Sequence, residues 1–499
     1  MKERPRLLKR LVDYGNSDFY PFHMPGHKRQ YRNEGVKEFP NPFSIDITEI
    51  DGFDNLHRPE GILKDSLEWA AGVYGSDKAY YLVNGSSCGI LSAISAAVSS
   101  RGTILMSRNC HKSAYHGVFL NQLEVKYIYP QIIPKLGIQG GILAEDVEEL
   151  LKTYPEIEAV LVVSPTYDGV VSDVRAIAEV VHRFQLPLIV DEAHGAHFAF
   201  GKKFEYPASA LELGADVVIQ SLHKTLPSLT QTAIMHVKKG FINIERLDRY
   251  VQMYQTSSPS YVFMASIENC ICYMEEEGMK KLGVFSENLL NIRRRLNEMK
   301  HFKLLSKDII GQYGVFDYDE SKIIVSTRNT GWSGSQLDQL LRKEYHLEME
   351  MCGADYVTAI TTLEDTKEGL ERLCLALLEL DMRVGSVSSR MDVTQEDSRE
   401  ISDNRPSHIL NGIYTTEECR CSISEAMDGK RYKILIQDAI DKVSAEFVYL
   451  YPPGIPIVVP GEVLSGDIIK IILEYKDLGL HVQGMEDEAA EFIYVLEEK

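Results

Sequence analysis

The segment Val217-Val218-Ile219-Gln220-Ser221-Leu222-His223-Lys224-Thr225 runs from an unbroken apolar triplet into hydroxyls, a histidine and a lysine. A short apolar run that stops at turn residues is the pattern of a strand buried on both faces. Upstream, Leu188-Ile189-Val190-Asp191 repeats the pattern and ends in a carboxylate. Similar runs at Tyr80–Val83, Thr103–Met106, Lys126–Tyr129 and Ala159–Val163 alternate with helical segments between Ala79 and Val237. That alternation predicts an α/β domain with a mostly parallel sheet covered by helices. Ligands of such folds gather beyond the carboxyl ends of the strands, and the chemically interesting residues here fall there.

A free lysine amine has a pKa of about 10.4 and is a poor nucleophile near neutrality. Condensed with an aldehyde cofactor, it forms a Schiff base that an amino-acid substrate can displace. A carboxylate such as Asp191 keeps a pyridine nitrogen protonated, which lets the ring accept the electrons released at Cα. Taken singly, Lys224 is a solvated lysine and Asp191 a strand-end cap. Together they point to pyridoxal phosphate.

Other segments suit the same cofactor. Asn84-Gly85-Ser86-Ser87 precedes the helix-like run Gly89–Val98. Amides at a helix N-terminus with two hydroxyls make a phosphate cradle, although the same letters also make an ordinary turn and N-cap. Ser221 and His223 flank the lysine as further phosphate contacts. His111, in Arg108-Asn109-Cys110-His111-Lys112-Ser113, is either a ring-stacking imidazole or a structural hydrogen-bonder. Thr166, in Ser164-Pro165-Thr166-Tyr167-Asp168-Gly169, is placed to bond the ring's phenolic oxygen. Asp191-Glu192-Ala193-His194-Gly195-Ala196-His197 has metal-ligand residue types but neither an HExxH spacing nor a second ligand cluster, so no metal is expected. Its first four letters also match a helicase acid motif, yet Gly201-Lys202-Lys203 is no phosphate loop.

Composition narrows the class. With 499 residues, 44% apolar and 25% charged, the chain has material for several domains and a large core. A net charge of -20 argues against non-specific binding to nucleic acid or to an anionic membrane. No apolar run approaches the roughly 20 residues needed to span a bilayer, and Met1–Arg10 lacks the apolar core of a secretory signal. The cysteines at 88, 110, 270, 272, 352, 374, 419 and 421 show no Cys-x-x-Cys pair. A reducing cytoplasm is the expected setting.

The chain divides into an N-terminal arm (1–60), a large cofactor-binding domain (61–299), a smaller α+β domain (300–384), a Ser/Asp/Glu-rich linker (385–405) and a C-terminal domain (406–499). Within the arm, Leu7, Leu8 and Leu11 mark a short amphipathic helix. Residues 60–74 read as a helix stopped by Gly75, and Glu275–Met299 as a long charged helix.

In order, His23-Met24-Pro25-Gly26-His27-Lys28, Asp51-Gly52-Phe53-Asp54-Asn55-Leu56-His57, Asn84-Gly85-Ser86-Ser87, Arg108 to Ser113, Pro165 to Gly169, Asp191 to His197 and Ser221 to Thr225 resemble the Orn/Lys/Arg decarboxylases of prokaryotic type. Tyr451-Pro452-Pro453-Gly454-Ile455-Pro456 and Pro460-Gly461-Glu462 are similar to that family's last domain. The resemblance implies the aspartate-aminotransferase fold (fold type I) and a homodimer with interface active sites. It also implies decarboxylation of a basic amino acid with pyridoxal phosphate. By motif match, Lys224 is the Schiff-base residue and Asp191 the pyridinium partner. His111 stacks on the ring, Ser86, Ser87, Ser221 and His223 hold the phosphate with Gly85, and His194 and Thr166 lie beside the ring. The chain resembles the shorter biosynthetic forms, which lack the N-terminal wing of the acid-stress enzymes. It departs in having Ser86-Ser87 for the usual Ser-Thr, and in following Glu348-Met349-Glu350 with Met351-Cys352-Gly353.

Arginine is the expected substrate, with agmatine as product and polyamine synthesis as the setting; lysine comes second and ornithine third. Lys224 or His223 is the expected proton donor at Cα. Asp46, Glu49, Asp51, Asp54 and Glu350 are the candidate partners of the substrate's distal cation. The alternatives are another activity on the same cofactor, such as an aminotransferase or aldolase, and a non-catalytic regulatory homologue.

Overall fold

The computed structural model describes residues 7–30, 39–134, 137–388, 418–451, 455–477 and 481–497. Its centre is a seven-stranded sheet built from β1 (Lys78–Leu82), β2 (Thr103–Ser107), β3 (Glu124–Ile128), β4 (Ile157–Val163), β5 (Leu188–Asp191), β6 (Val217–Gln220) and β7 (Ala233–Val237). The spatial order is β1-β7-β6-β5-β4-β2-β3. Neighbours from β6 to β3 pair in parallel, whereas β7 runs antiparallel to both β6 and β1. The six expected strands are all present. β7 is an addition, because its mixed letters, Ala-Ile-Met-His-Val, carry no strong strand signal.

Side chains of β6 alternate between two cores. Val217 and Ile219 pack into the cluster that holds Ile189 and Ile104, and Val218 packs into the one that holds Val190 and Leu188. A strand buried on both faces must be apolar throughout, and each such side chain contributes roughly 1.5–3 kcal/mol. Helices α1 (Gly85–Ala97) and α2 (Lys112–Asn121) follow β1 and β2, so their N-termini open at the carboxyl edge of the sheet.

The helix expected over 60–74 spans Ile62–Tyr74 and ends at Gly75. Its start is set by Asp54, whose carboxylate accepts the amides of Glu60, Gly61 and Leu63 at 2.8–3.1 Å. The long helix expected from Glu275 begins earlier. Tyr261–Tyr273 passes through a π-helical turn, Met274–Gly278, into Met279–Leu296. The acidic run at 275–277 imitates a helix start but lies within a continuous helix.

Beyond it, Lys303–Leu304, Lys322–Ser326, Tyr356–Ile360 and Met351–Cys352 form an antiparallel sheet flanked by helices Gly334–Tyr345 and Lys367–Ser388. Residues 385–388 therefore finish a helix rather than open the linker, and 389–405 lie outside the described residues. The arm joins this unit, since Tyr20–Phe22 pairs in parallel with Leu347–Met349. The amphipathic helix of the arm is Leu7–Gly15.

The C-terminal unit pairs Arg431–Leu435 with Phe492–Leu496, and sets Val448–Tyr451 between Ile455–Val458 and His481–Gln483. Of the expected rigid turn, Pro452, Pro453 and Gly454 lie outside the described residues. This unit is bolted to the large domain by Arg108. Its guanidinium donates to Pro456 O at 2.6 Å, Tyr115 Oη at 3.0 Å and Glu462 Oε2 at 3.1 Å, with both charged side chains buried. All eight cysteines are free thiols. Among the described residues no helix is long and apolar enough to cross a membrane.

Removing one partner of a buried ion pair strands the other charge in a poorly polarizable interior. Glu462→Ala is expected to lower unfolding free energy by roughly 3–5 kcal/mol in denaturant titration. An unchanged midpoint would show that Arg108 is satisfied by the Tyr115 hydroxyl and the backbone carbonyls without Glu462.

Candidate active site

Asp191 ends β5 and is paired across the sheet with Ile219 on β6 and Val163 on β4. Leaving β6, the chain makes one helical turn, Leu222–Thr225, that carries Lys224. Asp191 and Lys224 therefore share the carboxyl edge of the sheet, and both line one cavity of about 380 Å³. Gly85, Ser86 and Ser87 of α1 line it too, as do His111, His194 and His223.

The lysine turn is clamped from outside by the arm. Gly26 donates its amide to His223 O at 2.7 Å, and a Cβ at this position would stand 2.7 Å from Leu226 O. Only glycine permits that approach. Thr362 Oγ1 then donates to Gly26 O at 2.7 Å, and the Lys28 amine donates to Ile360 O at 2.6 Å and His23 O at 3.0 Å. The small domain thus holds the arm, and the arm holds the lysine turn.

Burial pulls the Lys224 amine down to about 8, against the upward pull of Asp191 and Glu350. Burial raises Asp191, with Lys224 opposing it. His194 Nε2 lies 2.8 Å from Lys224 Nζ, and His194 Nδ1 is buried with no partner among the described residues. Burial and the Lys224 charge hold this imidazole well below its ordinary range, so it is neutral. His111 is pushed down to about 3 chiefly by burial, and its Nδ1 accepts the Ser113 amide at 3.2 Å, capping α2. His223, pushed down to about 4 by burial, donates through Nδ1 to Thr232 O at 2.9 Å. Asn84 gives α1 no side-chain cap, which leaves first-turn amides for an anion beside Ser86 and Ser87. Ser221 is fully buried behind them and donates to Ser86 Oγ at 2.9 Å.

Some expected residues are elsewhere. Thr166 does not line the cavity; its hydroxyl accepts the Val170 amide at 3.1 Å and closes a turn. Asp54 caps a helix, Asp46 and Asp51 are exposed, and Glu49 is half-buried outside the cavity. Glu350 alone of the five acids lines it. Its Oε2 accepts the Met24 amide at 2.8 Å and its Oε1 accepts the Tyr167 hydroxyl. Tyr167, Asn109 and Ile455 also line the cavity and were not assigned from sequence. Tyr167 and Asn109 sit inside quoted motifs, and position in a motif was the one available signal. Ile455 also sits inside a quoted motif, that of the C-terminal unit, where nothing local says that it reaches this cavity.

Pyridoxal phosphate fits these residues. A buried amine, a buried carboxylate, unpartnered helix amides with hydroxyls, and neutral imidazoles are the donor set that an aldehyde, a pyridinium, a phosphate and a flat ring require. The solved lysine decarboxylase of Francisella novicida superposes with a TM-score of 0.76 at 21% identity, covering 99% of this chain and 81% of that one. Fold and site together define an enzyme of the aspartate-aminotransferase fold, type I. Residues 5–351 match the family model for the Orn/Lys/Arg decarboxylase major domain, and residues 415–490 match that for its C-terminal domain. An arginine decarboxylase of Bacillus anthracis is 31% identical over 99% of this chain and 97% of its own length. One from Bacillus subtilis is 32% identical over 96% and 95%. The chain belongs to the Orn/Lys/Arg decarboxylase family.

Competitive amine labelling of cofactor-free protein, read by peptide mapping, is expected to place the Lys224 midpoint near 8. Asp191→Asn removes an anion that favours the ammonium form and is expected to move that midpoint lower still. A midpoint near the ordinary lysine value of about 10.4 would show the amine to be hydrated.

Proposed function

We propose that the chain converts arginine to agmatine and carbon dioxide, with pyridoxal phosphate held on Lys224. The observation that carries this reading is the convergence of the Lys224 amine, the Asp191 carboxylate and the N-terminus of α1 on one cavity. Full-length relatives named as arginine decarboxylases, 31% identical, support arginine over lysine or ornithine. When bound, pyridoxal phosphate supplies the electron sink for the bond broken at Cα.

The protein's own groups divide the remaining work. Ser86, Ser87 and the first-turn amides of α1 hold the phosphate, with Ser221 fixing the Ser86 hydroxyl. Asp191 stays ionised against a cationic ring, because an adjacent positive charge offsets its burial. His111 and His194, both neutral, bear on the ring without repelling it. Ile90, Val163 and Ile455 give the cavity apolar walls. Such walls favour a step in which a carboxylate leaves as a neutral gas. Lys224, titrating near 8, can return a proton to Cα at neutral pH. His223, pushed down to about 4 by burial, is neutral there, which supports Lys224 over His223 as the proton donor. Glu350, the one of the five candidate acids that lines the cavity, is the carboxylate we assign to the substrate's distal cation. A cytoplasmic homodimer with sites at the subunit interface belongs to the same reading.

Carbon dioxide release from arginine, lysine and ornithine is the direct test: arginine should give the highest kcat/KM, and a preference for either competitor would overturn the substrate assignment. Borohydride reduction should fix a pyridoxyl label on Lys224, and Lys224→Ala should reduce turnover to background with folding intact. Asp191→Asn should lower kcat by on the order of 10²-fold or more while changing KM less.

A further inference from the structure

Besides Lys28, another buried lysine packs under a turn of this site and has no part in the chemistry above. Lys322 opens the strand Lys322–Ser326 of the small domain, and it and Asp319 are both 0% exposed. Among the described residues its amine has no hydrogen-bond partner, and Asp319 Oδ2 stands 4.0 Å away. Asp319 is itself fixed, accepting the Ser321 amide at 3.0 Å and facing His197 Nε2 at 3.3 Å. A buried ammonium without a hydrogen bond is costly, and an apolar chain of similar length would serve packing better. Groups retained at such cost cluster at functional sites.

Two features connect Lys322 to the cavity. Gly169 adopts φ +90°, and a Cβ on it would lie 2.9 Å from Lys322 Cγ and 3.0 Å from Asp319 O. The Asp319 amide donates to Gly169 O at 2.9 Å, while Asp317–Tyr318 pairs antiparallel with Val170–Val171. The turn Ser164–Gly169 therefore rests on residues 317–322. That turn carries Pro165 and Tyr167 into the cavity wall, where Tyr167 bonds Glu350.

We infer that Lys322 is a positioning residue of the Lys224 site: its stem seats the turn that presents Tyr167 to Glu350 in the cavity wall, and its amine adds a cation to the charges gathered around that carboxylate. The inference rests on Lys224 being the reactive amine. Lys224 faces Asp191, His194 and Glu350, with His111 and His223 also within its field. Lys322 faces Asp319, Asp168, Glu350 and Lys28. Its charge pulls Lys224 downward, in the same direction as burial, and opposes the rise of Asp168 to about 7.

Lys322→Met keeps the stem and removes the charge. In cofactor-free protein the Lys224 labelling midpoint should rise, so that labelling at neutral pH falls about threefold or more. In the holoenzyme the pH profile of turnover should shift the same way, with kcat falling more than KM changes. Stripping one charge from a buried pair can unfold a protein, so Lys322→Met with Asp319→Asn is measured alongside, and a smaller rise is expected there because the anion lost with Asp319 offsets part of the cation lost with Lys322. A borohydride label on another lysine in the wild type would defeat the reading of the site itself. A label on Lys224 in wild type and variant, with an unchanged midpoint, leaves that reading intact and overturns the role of Lys322. Failure of both variants to fold assigns Lys322 to stability alone and also overturns it.

Discussion

Removal of the Lys224 amine from water is the condition on which the site depends. In solvent an alkylammonium keeps its proton at neutral pH and cannot attack a carbonyl. Enclosed at the sheet edge, with Asp191 and Glu350 offsetting part of the loss of hydration, the same amine titrates near 8. The balance is narrow. More anionic surroundings would restore the ordinary basicity, and fewer anions would leave the cavity without a counter-charge. The three neutral histidines fit this balance, since each supplies a polar ring without adding a cation.

Glu350 gathers the remaining parts of the chain around that amine. Standing on the small domain, its carboxylate holds the arm at Met24 and the large domain at Tyr167. The C-terminal unit adds Ile455 to the wall and is held in place by Arg108 across a buried interface. The cavity is thus a product of four segments far apart in sequence.

What sequence reading recovered was set by locality. Strand runs such as Val217–Ile219 are buried on both faces, and apolar continuity reports that directly. Lys224, Asp191, Ser86 and His111 were legible because a strand end places its next residues at the ligand edge whatever the rest of the chain does. Asp54 shows where the method stops. Its place in an acidic motif suggested a cation site, yet the amides of Glu60 and Gly61 claim its carboxylate. Thr166 likewise has a turn amide as its partner. Lys322 carried no signal, because nothing in its own neighbourhood of sequence says that Gly169 will lie against it.

The contact between Gly26 and the lysine turn has a further consequence for how the protein comes into being. Gly26 O is held by Thr362 across 336 positions of chain, and closing so long a loop precedes any reward from it. A ribosome-bound chain that already contains the sheet and Lys224 still lacks the residue that fastens the arm. Competence therefore arrives late in synthesis, and a truncated product carries the reactive lysine without the clasp that seats it.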